Sequence, residues 1–321
     1  MMNAIVNTGP GQLEWLTLPT PAPAAGQVRI RTAACGICAT DLHMIAGWDR
    51  TGFPSIPGHE WSGVVDAVGD DVDASLIGLP CVAENVWSDG GEVGFEHPGG
   101  YGQFLFTESR LVHTLPATFP LWAAPLIEPL AVCVRAMRKL RTDISPRPAL
   151  ILGDGPIGLL MLLLLRRAGA DVTLIGGRPA RLTLAETMGA SCALNYHSPD
   201  DMEHLTKRDG TFGTVVEASG GPSSMTTAMQ AAGRGAKLLV VGDYGPARAD
   251  FPWNQLLHQE LELIGSNASA DAWSDAVTLA TRGGLPLQQL VTHRLPARDF
   301  PQAIGLARYD RTAVKVVIEW E

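Results

Sequence analysis

The chain has 321 residues, 46% of them apolar and 18% charged, and carries a net charge of −9. That length and balance fit roughly two globular domains and exclude a disordered chain. The acidic excess argues against a nucleic-acid partner, which needs clustered Lys and Arg, but leaves room for a local basic pocket.

The N-terminus, Met1-Met-Asn-Ala-Ile-Val, lacks a basic region followed by an apolar one, so no signal peptide is expected. The longest apolar run, Ile157 to Leu165, falls short of the ~20 residues of a membrane helix and reads as a buried helix after a glycine-rich turn. No membrane partner is expected. Five cysteines in a chain of this length do not make a disulfide framework, and a reducing cytoplasm is the expected compartment.

The first third of the chain reads as short strands separated by Pro- and Gly-dense turns. Gln27-Val-Arg-Ile-Arg-Thr32 alternates apolar and polar residues, as a half-exposed strand does. Gly63–Val68, Gly100–Phe106 and Val112–Pro116 are further strand candidates. From Glu128 to Leu140 the apolar spacing turns helical, and Arg138-Lys139 suits a helix C-terminus. Beyond it, strands at Ala149–Leu152, Val172–Ile175, Thr214–Glu217 and Lys237–Val241 alternate with helices at Gly155–Ala168, Ala180–Met188 and Ser223–Ala232. That alternation predicts a parallel sheet with right-handed crossovers, an α/β fold. A helix over Ala272–Arg282 and a strand over Ala313–Glu319 close the chain.

Gly153-Asp-Gly155-Pro156-Ile157-Gly158 joins the first strand of this series to its helix. Gly153 permits the tight turn, Gly155 lets a pyrophosphate approach the backbone, and Gly158 lets helix and strand pack closely. Phosphates would sit on the helix N-terminus; Pro156 lies in the first turn, where a missing N–H costs little. The second strand ends at Ile175, and where an acid would normally accept the ribose hydroxyls stand Gly176 and Gly177, then Arg178 and Arg181. Glycine removes the repulsion of a 2′-phosphate and makes room; Arg178 offers a planar fork of donors and Arg181 a second charge. The missing acid therefore points to NADP(H) over NAD(H).

Cys35-Gly-Ile-Cys38-Ala-Thr-Asp-Leu-His43 and Gly58-His59-Glu60 hold donors of a metal-site type. A Cys-x-x-Cys pair serves redox chemistry, half a zinc finger, or an open catalytic zinc site with three protein ligands and one exchangeable position. No second ligand pair has finger spacing, and no thioredoxin-like unit surrounds the first.

Cys38-Ala-Thr-Asp-Leu-His43, Gly58-His59-Glu60, Ile127-Glu-Pro-Leu-Ala131 and the fingerprint occur in one order, and together they resemble the zinc-dependent medium-chain dehydrogenase/reductases. Thr292-His-Arg-Leu-Pro296 and Val314-Lys-Val-Val317 resemble that family's C-terminal part. The resemblance implies a Rossmann doubly wound sheet (130–265) plus a β-rich GroES-like catalytic domain (1–129 and 266–321). It implies a catalytic zinc on Cys38, His59 and Glu128, with Glu60 as an inner acid that is sometimes an alternate ligand. Thr40 and His43 match the family's hydroxyl and imidazole that carry a proton outward, and Asp41 is a candidate to orient a ligand imidazole. Cys35 is then a small buried residue. Gly176-Gly-Arg-Pro179 with Tyr196 is similar to the ribose position of NADP-preferring secondary-alcohol dehydrogenases, placing Tyr196 near the adenosine phosphate. Between Cys81 and Glu128 there is no cysteine, so the four-cysteine lobe of many members is missing and one zinc per chain is expected. Trp48, Trp87 and Phe106 are candidate pocket walls. The implied activity is hydride transfer between NADP(H) and an alcohol or carbonyl (a polyol, sugar or secondary alcohol) by a homodimer or homotetramer. The competing readings are a zinc-free quinone or enoyl reductase on the same fold, and an inactive nucleotide-sensing protein.

Overall fold

In the computed structural model, which describes residues 1–48, 50, 52–140, 148–248 and 250–321, six strands form one parallel sheet. Their order is Cys192–Asn195, Val172–Gly176, Ala149–Leu152, Phe212–Glu217, Ala232–Val240 and Glu262–Gly265. Counted along the chain this is 3-2-1-4-5-6, the doubly wound Rossmann order, and the fingerprint follows the strand at its switch point. The inner strands are covered on both faces, with Leu150, Leu152, Val215 and Leu238 in one core cluster, which is why they read as continuous apolar runs. Cys192–Asn195 and Glu262–Gly265 are the sheet's two edges. Both are short, and neither stands out from the sequence. Four helices of this sheet, Pro156–Arg167, Pro179–Thr187, Pro199–Thr206 and Pro222–Ala231, all begin at proline. There the missing N–H is one that no helix would use.

Every residue from Gly158 to Leu165 is buried, as expected for a core helix. Among the described residues no helix is long and apolar enough to cross a membrane. The helix lies hard against its strand: a Cβ at Gly158 would stand 1.9 Å from the carbonyl oxygen of Gly153.

The rest of the chain is β-rich. Seven strands pair in the order Val291–Pro296, Lys315–Glu319, Gln27–Gly36, Glu60–Val68, Pro80–Ala83 and Val112–Thr114, with Phe104–Glu108 paired to Gln27–Gly36 off this path. Ile30, Val65, Cys81, Leu105 and Ile318 share its core. A separate hairpin, Met2–Gly9 with Gln12–Leu18, was not legible as two paired strands in the sequence. By contact the described residues divide into two compact units, Met1–Glu128 with Trp273–Glu321, and Pro129–Ala272.

The strand expected at Gly100–Phe106 starts only at Phe104. The residues before it turn instead against the loop of His59: Gly100 N–H donates to Gly58 O at 2.8 Å and Tyr101 N–H to Pro57 O at 3.0 Å. A tertiary contact here outweighs the local alternation.

Gly158→Ala is expected to destabilise the nucleotide-binding unit by about 1–3 kcal/mol, the usual cost of forcing an atom into a packed contact. Thermal or denaturant unfolding followed by circular dichroism checks it; an unchanged midpoint would contradict the close helix–strand contact.

Candidate functional site

Cys38, His59 and Glu60 each offer a ligand atom, and these atoms lie within 4.8 Å of one another. Cys38 ends the turn after the strand Gln27–Gly36 and precedes the helix Ala39–Ile45. His59 directly precedes the strand Glu60–Val68 and Glu60 opens it, so two segments distant in sequence meet because their strands are antiparallel neighbours, with Gly36 opposite Glu60. Donors held by one cation through bonds of roughly 2.0–2.3 Å lie at such separations, and sulfur with imidazole and carboxylate is a zinc-type set.

Asp41 organises this cluster. It is fully buried. Its Oδ2 accepts from Cys38 N–H at 2.8 Å, and its Oδ1 accepts from Gly58 N–H at 3.3 Å. The same Oδ1 lies 3.3 Å from His59 Nδ1, in ion-pair range but short of hydrogen-bond geometry. With Nδ1 turned toward Asp41, Nε2 is the imidazole atom left for a cation. Burial would lower the His59 pKa, but the charges of Asp41 and Cys38 hold it well above its usual value. The field of the cluster thus favours positive charge at this spot.

Backbone spacing makes the loop possible. Gly58 has φ +100°, and a Cβ there would stand 2.6 Å from the Tyr101 ring and 2.7 Å from Cys35 Sγ. Cys35 is fully buried, as expected of a small buried residue, and burial pushes its thiol well above the usual range. Phe95 covers the imidazole of His59 with ring centroids 5.2 Å apart, and Trp48 meets Phe95 edge-on at 6.4 Å. Trp87 instead stacks on His97 at 3.9 Å and lines a separate surface cavity with Phe106. In this stretch without cysteines the loop is closed by that stack and by Arg50, which pairs with Glu92 and Glu96 and lies over Phe95.

Glu60 and Glu128 differ in their surroundings. Both oxygens of Glu60 accept from Lys315 Nζ, at 2.7 and 2.5 Å, and the same ammonium reaches Ile37 O at 3.4 Å. The pair is almost completely buried, and Gly36 makes room for it: a Cβ there would stand 2.5 Å from Glu60 Oε2. Glu128, in the first turn of the helix Ile127–Lys139, is not a member of the close donor group. Burial pushes its carboxyl up to about 7; the His59 charge opposes this and Glu60 adds to it. Thr40 Oγ1 lies 3.8 Å from Cys38 Sγ, and His43 is exposed on the same short helix.

Sequence reasoning missed Lys315 and Tyr101. A lone lysine inside Val314-Lys-Val-Val-Ile318 was the available signal, because a charged residue at a buried strand position needs a partner. Tyr101 is buried beside Gly58, and burial with the nearby acid charges raises its pKa well above the usual value.

In the other unit the fingerprint has the expected form. Gly153 has φ +126°, and a Cβ there would meet Ala218 at 2.9 Å, while Gly155 has open space where its Cβ would stand. A phosphate bound at this turn would meet Gly155 N–H and the start of the helix led by Pro156 and Ile157. The space expected at Gly176 is filled, however. A Cβ there would lie 2.5 Å from Asp154, and one at Gly177 would lie 2.3 Å from the Tyr196 ring. Asp154 pairs with Arg178 Nη1 at 2.8 Å and lies 3.8 Å from Arg181 Nη1.

A family model described as zinc-binding dehydrogenase matches residues 156–282, and one described as alcohol dehydrogenase GroES-like domain matches residues 24–117. The chain is 29% identical to an L-threonine 3-dehydrogenase from Anaeromyxobacter sp. (strain Fw109-5), an alignment that covers 99% of each. It is similar to the solved structure of galactitol-1-phosphate dehydrogenase from Escherichia coli, with TM-score 0.88, 26% identity and coverage of 99% of this chain and 100% of that one. It is also similar in fold to a short chain alcohol dehydrogenase from E. coli CFT073 complexed with NADH, with TM-score 0.91, 23% identity and coverage of 99% of each. These likenesses bear out the expected fold class, a Rossmann sheet with a GroES-like domain.

Lys315→Met is expected to destabilise the β-rich unit by about 3–5 kcal/mol, because it strands a buried carboxylate. Adding Glu60→Gln should recover most of that loss in a denaturant titration. A double variant as unstable as the single one would show that the lysine acts by packing alone.

Proposed function

Because the chain belongs to the medium-chain dehydrogenase/reductase family, we propose that it is a zinc-dependent, NADP(H)-preferring dehydrogenase for an alcohol or carbonyl: a polyol, sugar or secondary alcohol. The observation that carries this reading is the convergence of Cys38 and His59 on one point of the β-rich unit, with Glu60 beside them and Asp41 behind the imidazole. The names of its relatives, a threonine 3-dehydrogenase and a galactitol-1-phosphate dehydrogenase, support a hydroxyl-bearing substrate.

In this reading residues 1–129 and 266–321 form the catalytic domain and residues 130–265 bind the nucleotide. Cys38 and His59 hold the metal, and Glu128 is its third ligand, since Lys315 already claims both oxygens of Glu60. When bound, zinc supplies a Lewis acid for the substrate oxygen, and the nicotinamide supplies or accepts the hydride. Asp41, 3.3 Å from Nδ1, orients the His59 imidazole so that Nε2 faces the metal. Lys315 holds Glu60 as a compensated inner acid, so its charge does not add fully to that of the thiolate. The Thr40 hydroxyl bonds to the substrate oxygen and moves its proton outward, and exposed His43 hands it to solvent. Phe95 and Trp48 give the site an apolar wall. Backbone N–H groups after Gly155 bind the pyrophosphate, and Arg178, with Arg181 and Tyr196, receives the 2′-phosphate.

Metal analysis of the purified protein should find about one zinc per chain. Glu128→Ala should lower both zinc content and turnover; full retention of metal and activity would remove Glu128 from the ligand set and leave Glu60 as the third donor. A panel of polyols, sugars and ketones assayed with NADP(H) and NAD(H) in parallel identifies the substrate class. In that panel Arg178→Gln should cut kcat/KM with NADP(H) about 10–100-fold and leave NAD(H) almost unchanged. A protein that holds no zinc yet reduces quinones or enones would favour the zinc-free branch instead.

A further inference from the structure

We propose that Asp154, the acid inside the glycine fingerprint, determines how strongly the nucleotide site discriminates for a 2′-phosphate. This rests on reading Arg178 as the residue that meets that phosphate. A carboxylate beside a helix N-terminus suits the helix dipole, but it repels the phosphates that are to bind there. Asp154 is only 2% exposed, and its two oxygens have separate tasks. Oδ2 accepts from the N–H groups of Gly177 and Arg178, both at 2.9 Å, and so ties the end of the strand Val172–Gly176 to the fingerprint. Oδ1 accepts from Arg178 Nη1 at 2.8 Å, with Arg181 Nη1 3.8 Å away.

Glycine at 176 is what admits this arrangement. A Cβ there would stand 2.5 Å from both Cβ and Oδ2 of Asp154. The carboxylate therefore fills the place where a side chain at the strand end would begin. An acid is present at the ribose-reading position after all, but it arrives from the preceding loop. Two guanidinium groups face a 2′-phosphate with one carboxylate behind them, and Arg178 has one nitrogen committed to that carboxylate. Asp154 thus restrains Arg178 and weakens its pull on the dianion, which leaves NAD(H) a usable second cofactor.

The test is calorimetric titration of the full chain with adenosine 2′,5′-bisphosphate and with 5′-AMP, which needs neither substrate nor turnover. Asp154→Asn keeps an oxygen for the two backbone N–H groups but turns an amide toward Arg178. It should tighten the bisphosphate about tenfold more than it tightens 5′-AMP, whose 5′-phosphate also gains from loss of the charge. Asp154→Ser, with a smaller acceptor, should move the ratio of the two affinities the same way if the asparagine variant does not fold. Arg178→Gln should collapse that ratio in either background. An unchanged or lowered ratio in the Asp154 variants, with Arg178→Gln still effective, overturns this inference and leaves the NADP(H) reading intact. Equal affinity of the unaltered chain for both probes, insensitive to Arg178→Gln, overturns the two together.

Discussion

Buried negative charge governs the β-rich unit. Asp41 and Glu60 are almost fully enclosed, and Cys38 and Glu128 belong to the same electrostatic neighbourhood. Removing an ion from water costs several kcal/mol unless a counter-charge meets it at close range. Lys315 meets Glu60, and His59 meets Asp41. In the proposed function a divalent cation is the counter-charge for the rest of the cluster, so the packing of this unit and that chemistry draw on the same electrostatics.

That concentration of charge needs backbone rather than side chains around it. Gly36 leaves space for the Glu60–Lys315 pair, and Gly58 lets the His59 loop pass between Tyr101 and Cys35. Tyr101, Phe95 and Trp61 close the volume with apolar surface, which lowers the local dielectric and strengthens every pairing inside it. The loop of Trp87, in the stretch where cysteines are lacking, is held by the Trp87–His97 stack and by the ion pair of Glu92 with Arg50.

The nucleotide unit uses a related device at smaller scale. There the buried acid is Asp154, its counter-charges are arginines, and glycines at 176 and 177 admit the side chains that fill the corner. In both units a carboxylate one step removed from the proposed ligand orients the group that would touch it: Asp41 behind His59, and Asp154 behind Arg178.

Much of this was readable from local pattern. Apolar runs mark the inner strands of the parallel sheet and three of its helices, and Gly153-x-Gly-x-x-Gly158 marks their phosphate loop, because these signals depend on residues a few positions apart; the helix Pro199–Thr206 was not marked this way. The pairing of Cys38 with His59 followed from a family resemblance, and the structure puts the two side by side. Which acid joins them was not readable. Strand register places Glu60 beside them, and Lys315, 255 residues away, claims its oxygens because two strands flank Gln27–Gly36, which leaves Glu128 as the proposed third ligand. Asp154 was visible as a letter in the fingerprint, yet its grip on Arg178 exists only once two parallel strands lie side by side. Sequence by itself determined the elements and the kinds of donor; the tertiary structure alone decided which buried charge faces which, since that depends on topology and distance rather than on spacing along the chain.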